Sequence, residues 1–172
     1  IFQQHLQIDP HEVALEELQQ LTSKKVDLSA GDLSKTDYLQ LLLSNSIEPE
    51  LPPYCIIYDY PKEQAALATL AEDEHGVVVA KRFEFFAQGM ELANGYFELS
   101  DPAEQRARFE ADNATRKKKG LQTHAIDEKL ISALENGLPS CSGVAVGVDR
   151  FLMLLLNAKN IGEVISFDSE RV

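Results

Sequence analysis

RFEFFAQGMELANGYFEL, Arg82 to Leu99, reads as two strands about a turn, with three glutamates, Glu84, Glu91 and Glu98, spaced seven apart. Strands disfavour glutamate, and like charges facing one another across a ladder repel. A turn at Ala87-Gln88, or a four-residue loop from Phe86 to Gly89, sets Glu84 directly opposite Glu91. Their Cβ atoms would then lie about 4.5–5.5 Å apart on one face. Two ionised carboxylates so close require a proton or a cation between them. One or two carboxylates, completed by phosphate oxygens and water, are the usual setting of Mg²⁺. The plain alternative is an exposed hairpin whose acids are neutralised by Lys81 and Arg82. Further on, Asn94-Gly95 marks a turn or bulge, and Glu98 follows Tyr96 by two residues. A carboxylate beside an aromatic ring suits an ammonium group, by charge and by cation–π contact. The alternative there is a surface glutamate near a core tyrosine.

Outward from the hairpin, helix and strand signals alternate. Asp9-Pro10-His11-Glu12 carries N-cap, first-position proline and first-turn acid, which predicts a helix ending near Lys24 with Val13, Leu15, Leu18 and Leu21 inward. A second helix is expected over Lys35–Ser44, with Leu39, Leu42 and Leu43 inward. Tyr54–Tyr60 reads as a short buried strand between prolines, and the stretch from Lys62 to His75 fits either a helix or a loop. Asp101-Pro102-Ala103-Glu104 opens a long helix to about Lys119, closed by Gly120. Another helix spans about Asp127 to Asn136, and Ile165–Phe167 reads as a final strand. With hairpin signals at the centre, the class is α+β, an antiparallel sheet flanked by helices.

The strand Gly143–Asp149 alternates unusually: valines occupy one face, while Gly143, Ala145 and Gly147 leave the other nearly bare. A bare strand face lets a flat ligand approach the backbone. Arg150 comes immediately after, with a planar fork suited to phosphate. Close packing with a structural arginine would leave the same pattern. The stretch is not a Walker A loop, and no GxGxxG succeeds a strand.

Composition bounds the rest. A chain of 172 residues, 44% hydrophobic and 26% charged, fits one globular domain. Its formal charge of −12 works against non-specific attraction to nucleic acid, and the basic run Arg116–Lys119 suits the end of a helix. No apolar run reaches membrane-spanning length; Phe151–Leu156 is the longest. Cys55 and Cys141 have no metal-ligand spacing, which points to a reducing cytoplasm. The chain opens on Ile1 without an entry signal, as a fragment of a longer protein would.

The hairpin, the adjoining SDPAEQRARFE and SGVAVGVDRFLMLLLNAKNIGEVISF together resemble the C-terminal half of class II lysyl-tRNA synthetase catalytic domains. The last stretch is similar to motif 3 of that class, at about residues 143–156. The likeness is greatest to the synthetase's truncated paralogues, the elongation factor P lysyltransferases, and it runs from Ile1 to Val172. It implies ATP and Mg²⁺ as cofactors, with Glu84 and Glu91 on the metal and phosphates. It also implies Leu92 contacting ATP through its backbone, and Gly147 and Arg150 bordering ATP, with Arg150 catalytic near the γ-phosphate. Asn94, Tyr96, Glu98 and Ala145 would line the amino-acid pocket, Glu98 facing the side-chain ammonium. The implied reaction is formation of an aminoacyl-adenylate, the work of the protein being positioning and charge neutralisation.

Two departures refine this. Ala145 stands where lysyl-tRNA synthetases typically have glycine, and a methyl there discriminates by about 1–3 kcal/mol. That favours the paralogue, whose substrate is (R)-β-lysine or lysine and whose acceptor is elongation factor P, with tRNA not expected. Motifs 1 and 2 do not occur here and are expected before Ile1, so the isolated chain is expected to be inactive; the full-length protein is expected to be a homodimer. A lysyl-tRNA synthetase fragment and a non-catalytic amino-acid-binding paralogue are the competing readings.

Overall fold

The computed structural model describes residues 1–26 and 33–168. Among them, α1 (Phe2–Leu6), α2 (Leu15–Ser23) and α3 (Lys35–Leu42) precede β1 (Tyr54–Pro61). Next come β2 (Leu70–Glu72) and the hairpin β3 (Val78–Ala87) and β4 (Met90–Phe97). The chain continues with α4 (Pro102–Lys118), α5 (Glu128–Glu135), β5 (Ser142–Val146) and α6 (Val148–Leu156). The strands form one antiparallel sheet in the order β1-β3-β4-β5, with β2 paired to β3. This is the expected α+β class.

Most start signals act as expected. Asp101 accepts from the amides of Ala103 and Glu104 at 2.8 and 3.0 Å, and α4 carries Arg116, Lys117 and Lys118 in its last turn. The basic run therefore closes a helix, where cations offset the exposed carbonyls. Asp127 caps α5 in the same way. Ser34 and Asp37 form a capping box that starts α3.

Three readings are corrected. Asp9-Pro10 does not begin a helix: Asp9 accepts from the His11 amide through its side chain and from the Val13 amide through its carbonyl, making a turn, and α2 starts after Ala14. The cap chemistry is used locally, in an Asx-type turn. Strand β1 is buried on one face alone: Ile57 and Tyr60 are covered, while Tyr54, Ile56 and Tyr58 are more than half exposed. Ile165–Phe167 is a bend rather than a strand, beyond a 3₁₀ turn over Ile161–Glu163.

The core positions the site. Leu18, Leu39, Leu42, Leu43 and Ile47 pack with Ile57, Tyr60, Ala80 and Phe86, so the N-terminal helices cover the β1–β3 side of one sheet face. The β4–β5 side of that same face stays open. The opposite face exposes Tyr54, Ile56, Tyr58, Val144 and Val146, and α6 exposes Phe151, Leu155 and Leu156. Among the described residues no helix is long and apolar enough to cross a membrane.

Candidate active site

The hairpin turn decides which side chains reach the open face. Gln88 and Gly89 both take left-handed φ, 51° and 76°, the conformation that a two-residue hairpin turn of matching twist requires. The turn thus lies one residue later than either arrangement the sequence suggested. Phe86 then pairs with Glu91, and Leu92 bulges, so that Phe85 pairs with Ala93 and Glu84 with Asn94. The expectation that Glu84 stands directly opposite Glu91 is therefore corrected: the two acids are diagonal on the sheet.

The bulge has a second effect. Glu91 and Asn94 are three residues apart, and in an unbroken strand they would face opposite ways. One extra residue restores the parity. Arg82, Glu84, Glu91, Asn94 and Tyr96 consequently share one face, because paired residues project to the same side. Strand β5 extends it: Ala145 pairs with Asn94 and Gly143 with Tyr96. Valines on one side and small residues on the other is the arrangement read from the sequence.

The face has two ends. At one, Glu84 is 7% exposed and its Oε1 accepts from Arg82 Nη2 and, at 3.0 Å, from Asn94 Nδ2. Lys81 instead pairs with Asp59 at 3.0 Å. Of the two cations offered as neutralisers, only Arg82 serves these acids. Glu91 contributes its backbone carbonyl to Arg150 Nη1 at 2.8 Å, and the Leu92 carbonyl accepts from the Gly147 amide at 2.8 Å. These bonds tie the start of α6 to the bulge and hold Arg150 at the rim of the cleft. Glu91, Leu92, Asn94, Ala145, Gly147 and Arg150 line one hollow, and Glu84 and Arg82 line its neighbour.

At the other end lies Glu98. Its backbone is fixed at both groups: its amide donates to the Cys141 carbonyl at 3.0 Å, and its carbonyl accepts from Thr69 Oγ1 at 3.0 Å. Its carboxylate rests on Gly143, where any Cβ would collide with Oε1. Among the described residues that carboxylate receives no protein hydrogen bond or ion pair. A half-buried carboxylate left open in this way suits a cationic ligand group. Gly95 is needed for a different contact: a Cβ there would meet the Phe83 ring at 2.5 Å.

Two site groups escaped the sequence reading. Glu48, on a 3₁₀ turn ahead of β1, faces the acids; burial first, then the charges of Glu84 and Glu91, push its carboxyl above the usual range. Tyr60 lies under the Arg82 guanidinium, 4.5 Å from ring centroid to Cζ, and its buried hydroxyl faces the Glu84 carboxylate without closing a hydrogen bond of full geometry among the described residues. Burial, and then the Glu84 carboxylate, push that phenol well above its ordinary value. Neither residue carries a periodic or motif signal; long-range packing brings both in.

Among the described residues no three His, Cys, Asp or Glu side chains are grouped to hold a metal. Glu84 and Glu91 offer hard oxygen donors that fit Mg²⁺ only with phosphate oxygens and water completing the shell, its common mode of binding.

Several curated proteins similar to this chain share one name. The elongation factor P–(R)-β-lysine ligase of Klebsiella pneumoniae subsp. pneumoniae is 46% identical over 99% of the chain, and that of Pectobacterium atrosepticum 43%. The namesake of Hamiltonella defensa is 41% identical, again over 99% of the chain. The chain spans about half the length of these relatives, 53% in each case. A family model matches residues 3–171, and on that match the chain belongs to the class II tRNA synthetases of the D, K and N group.

Proposed function

We propose that the protein containing this chain activates (R)-β-lysine with ATP as an aminoacyl-adenylate and transfers it to a lysine of elongation factor P. The observation that carries the reading is one sheet face with an open carboxylate, Glu98, at one end and Glu84, Glu91 and Arg150 at the other. A lysine-type substrate has an ammonium tail and a carboxylate head, and ATP brings phosphates to that head. The name these relatives share supports this choice of substrate and acceptor.

In this reading Glu98 holds the tail ammonium in a charge-assisted bond. Asn94 donates to Glu84 through Nδ2 and lines the hollow where the substrate would lie. Tyr96 and Ala145 form the floor between the ends. Arg150, braced by the Glu91 carbonyl, directs its remaining N–H groups toward the γ-phosphate, and Leu92 and Gly147 border the nucleotide. Glu84 and Glu91 would hold Mg²⁺, which supplies neutralisation of phosphate charge when bound. The substrate carboxylate attacks the α-phosphorus in line, the bond to the bridging oxygen breaks, and pyrophosphate leaves with its electrons. Positioning and charge neutralisation account for most of such catalysis.

The chain is, on this reading, the C-terminal part of the catalytic domain. The exposed apolar sheet face and the apolar side of α6 support it, since so large an uncovered patch marks a contact surface. The remainder of the full-length chain is its proposed cover. A homodimer in a cytoplasmic setting, with elongation factor P rather than tRNA as acceptor, completes the proposal.

The test uses the full-length protein with labelled (R)-β-lysine or L-lysine, Mg²⁺, ATP, and elongation factor P or tRNA. Label from (R)-β-lysine on elongation factor P is expected; label from L-lysine on tRNA would return the protein to the synthetase reading. Ala145→Gly refines it. Ala145 pairs with Asn94 on the floor, so removing its methyl should raise the kcat/KM of L-lysine relative to (R)-β-lysine by about 10-fold, within the 1–3 kcal/mol such a group is worth. An unchanged ratio would show that the methyl does not set the preference.

A further inference from the structure

Arg82 has no role in the reading above, yet it is the cation most tightly built into the acidic end. Its guanidinium stacks over Tyr60 at 4.5 Å, and Nη1 donates to the Gln64 carbonyl at 3.2 Å. Nη2 bonds Glu84 Oε1, the oxygen that Asn94 Nδ2 also reaches at 3.0 Å. Both donors thus converge on Oε1. The Tyr60 hydroxyl also lies close to this carboxylate, but among the described residues the two hydrogen bonds of full geometry to Glu84 both go to Oε1. The side chains of the pair are 18% and 10% exposed, so Glu84 has little water to orient it.

We propose that Arg82 is a positioning residue that clamps Oε1 of Glu84 and thereby presents Oε2 to the cation on the nucleotide phosphates. This rests on the reading of Glu84 as a metal-facing carboxylate. Three anchors fix the guanidinium: a stacked ring, a backbone carbonyl and the carboxylate itself. Lysine has no planar fork with which to satisfy all three. Two effects of the arginine oppose each other. Its charge repels a nearby divalent cation, whereas its bond orders a carboxylate that the like charges of Glu91 and Glu48 would otherwise push out of line. Groups that hydrogen-bond a metal-ligating carboxylate typically raise metal affinity about 10- to 100-fold, so ordering outweighs repulsion.

The experiment uses the full-length protein, a non-hydrolysable ATP analogue and Mn²⁺ as probe, with bound Mn²⁺ read by electron paramagnetic resonance. Arg82→Met should raise the Mn²⁺ dissociation constant by about 10- to 100-fold. Arg82→Lys keeps the charge without the fork and should still raise it by about 10-fold, which keeps the test open if the methionine variant does not fold. Unchanged or tighter Mn²⁺ binding in the folded variants would overturn the proposal. Glu84→Gln separates the two levels. If it weakens Mn²⁺ while the Arg82 variants do not, the positioning role fails alone. If Glu84→Gln leaves Mn²⁺ affinity unchanged, the metal reading itself fails, and the role of Arg82 with it.

Discussion

Glu98→Gln in the full-length protein should weaken (R)-β-lysine binding by about 1.5–3 kcal/mol, roughly 10- to 150-fold, while leaving nucleotide affinity nearly unchanged. The amide keeps the shape of the carboxylate and loses only its charge. Because the Glu98 backbone is tied to Cys141 and Thr69 at both its groups, the substitution leaves the strand end in place. The loss therefore reports the ion pair with the substrate rather than a moved strand. Calorimetric titration of the amino acid and of an ATP analogue, done separately, reads both affinities. Equal losses for the two ligands would place Glu98 on the metal and phosphates.

Gly143→Ala should have an effect of similar size through a residue that touches no ligand. The added methyl would occupy the space of Glu98 Oε1 and lie 3.2 Å from its Cδ, so the carboxylate must turn away. Gly143 does not sit at a left-handed backbone angle, so alanine adds no conformational strain there. It belongs to β5, at the end of the strand order, where few elements press on it. A drop of about 10-fold or more in (R)-β-lysine affinity is expected, with a thermal midpoint close to that of the parent. The double variant with Glu98→Gln should lose little more than either single one, because both remove one interaction. Additive losses would mean that Gly143 acts on the site by another route.

These residues also show how far the sequence could be read. The bare face of the Gly143–Gly147 stretch was legible because period-2 alternation fixes faces regardless of what pairs with the strand. Its purpose was less so: Gly143 makes room for a protein carboxylate, a contact across 45 residues that no local pattern encodes. The hairpin gave its strands and its acids but not its register. The position of the turn depends on whether Gln88 accepts a left-handed angle beside Gly89, and the bulge at Leu92 on the bonds that Leu92 and Glu91 make to Gly147 and Arg150. A slip of this kind changes every cross-strand partner. The two acids were nonetheless placed on one face, since moving the turn by one residue shifts the pairing by two and keeps parity, and the bulge at Leu92 changes only the residues beyond Glu91. Asp9-Pro10 misled for a related reason: the same residues serve a helix start or a turn, and the residues downstream of them settle the competition. Glu48 and Tyr60 lay beyond reach, because nothing near either in sequence marks a partner about 20 to 40 residues away.

The central claim is that this sheet face serves adenylation of a lysine-type substrate, and pyrophosphate exchange tests it most directly. The full-length protein, with Mg²⁺, ATP and labelled pyrophosphate, should return label to ATP only when (R)-β-lysine or lysine is present. That exchange should fall sharply in Glu91→Gln, which removes one of the two hard donors at the phosphate end. Amino-acid-independent label, or exchange in Glu91→Gln equal to the parent, would contradict the account.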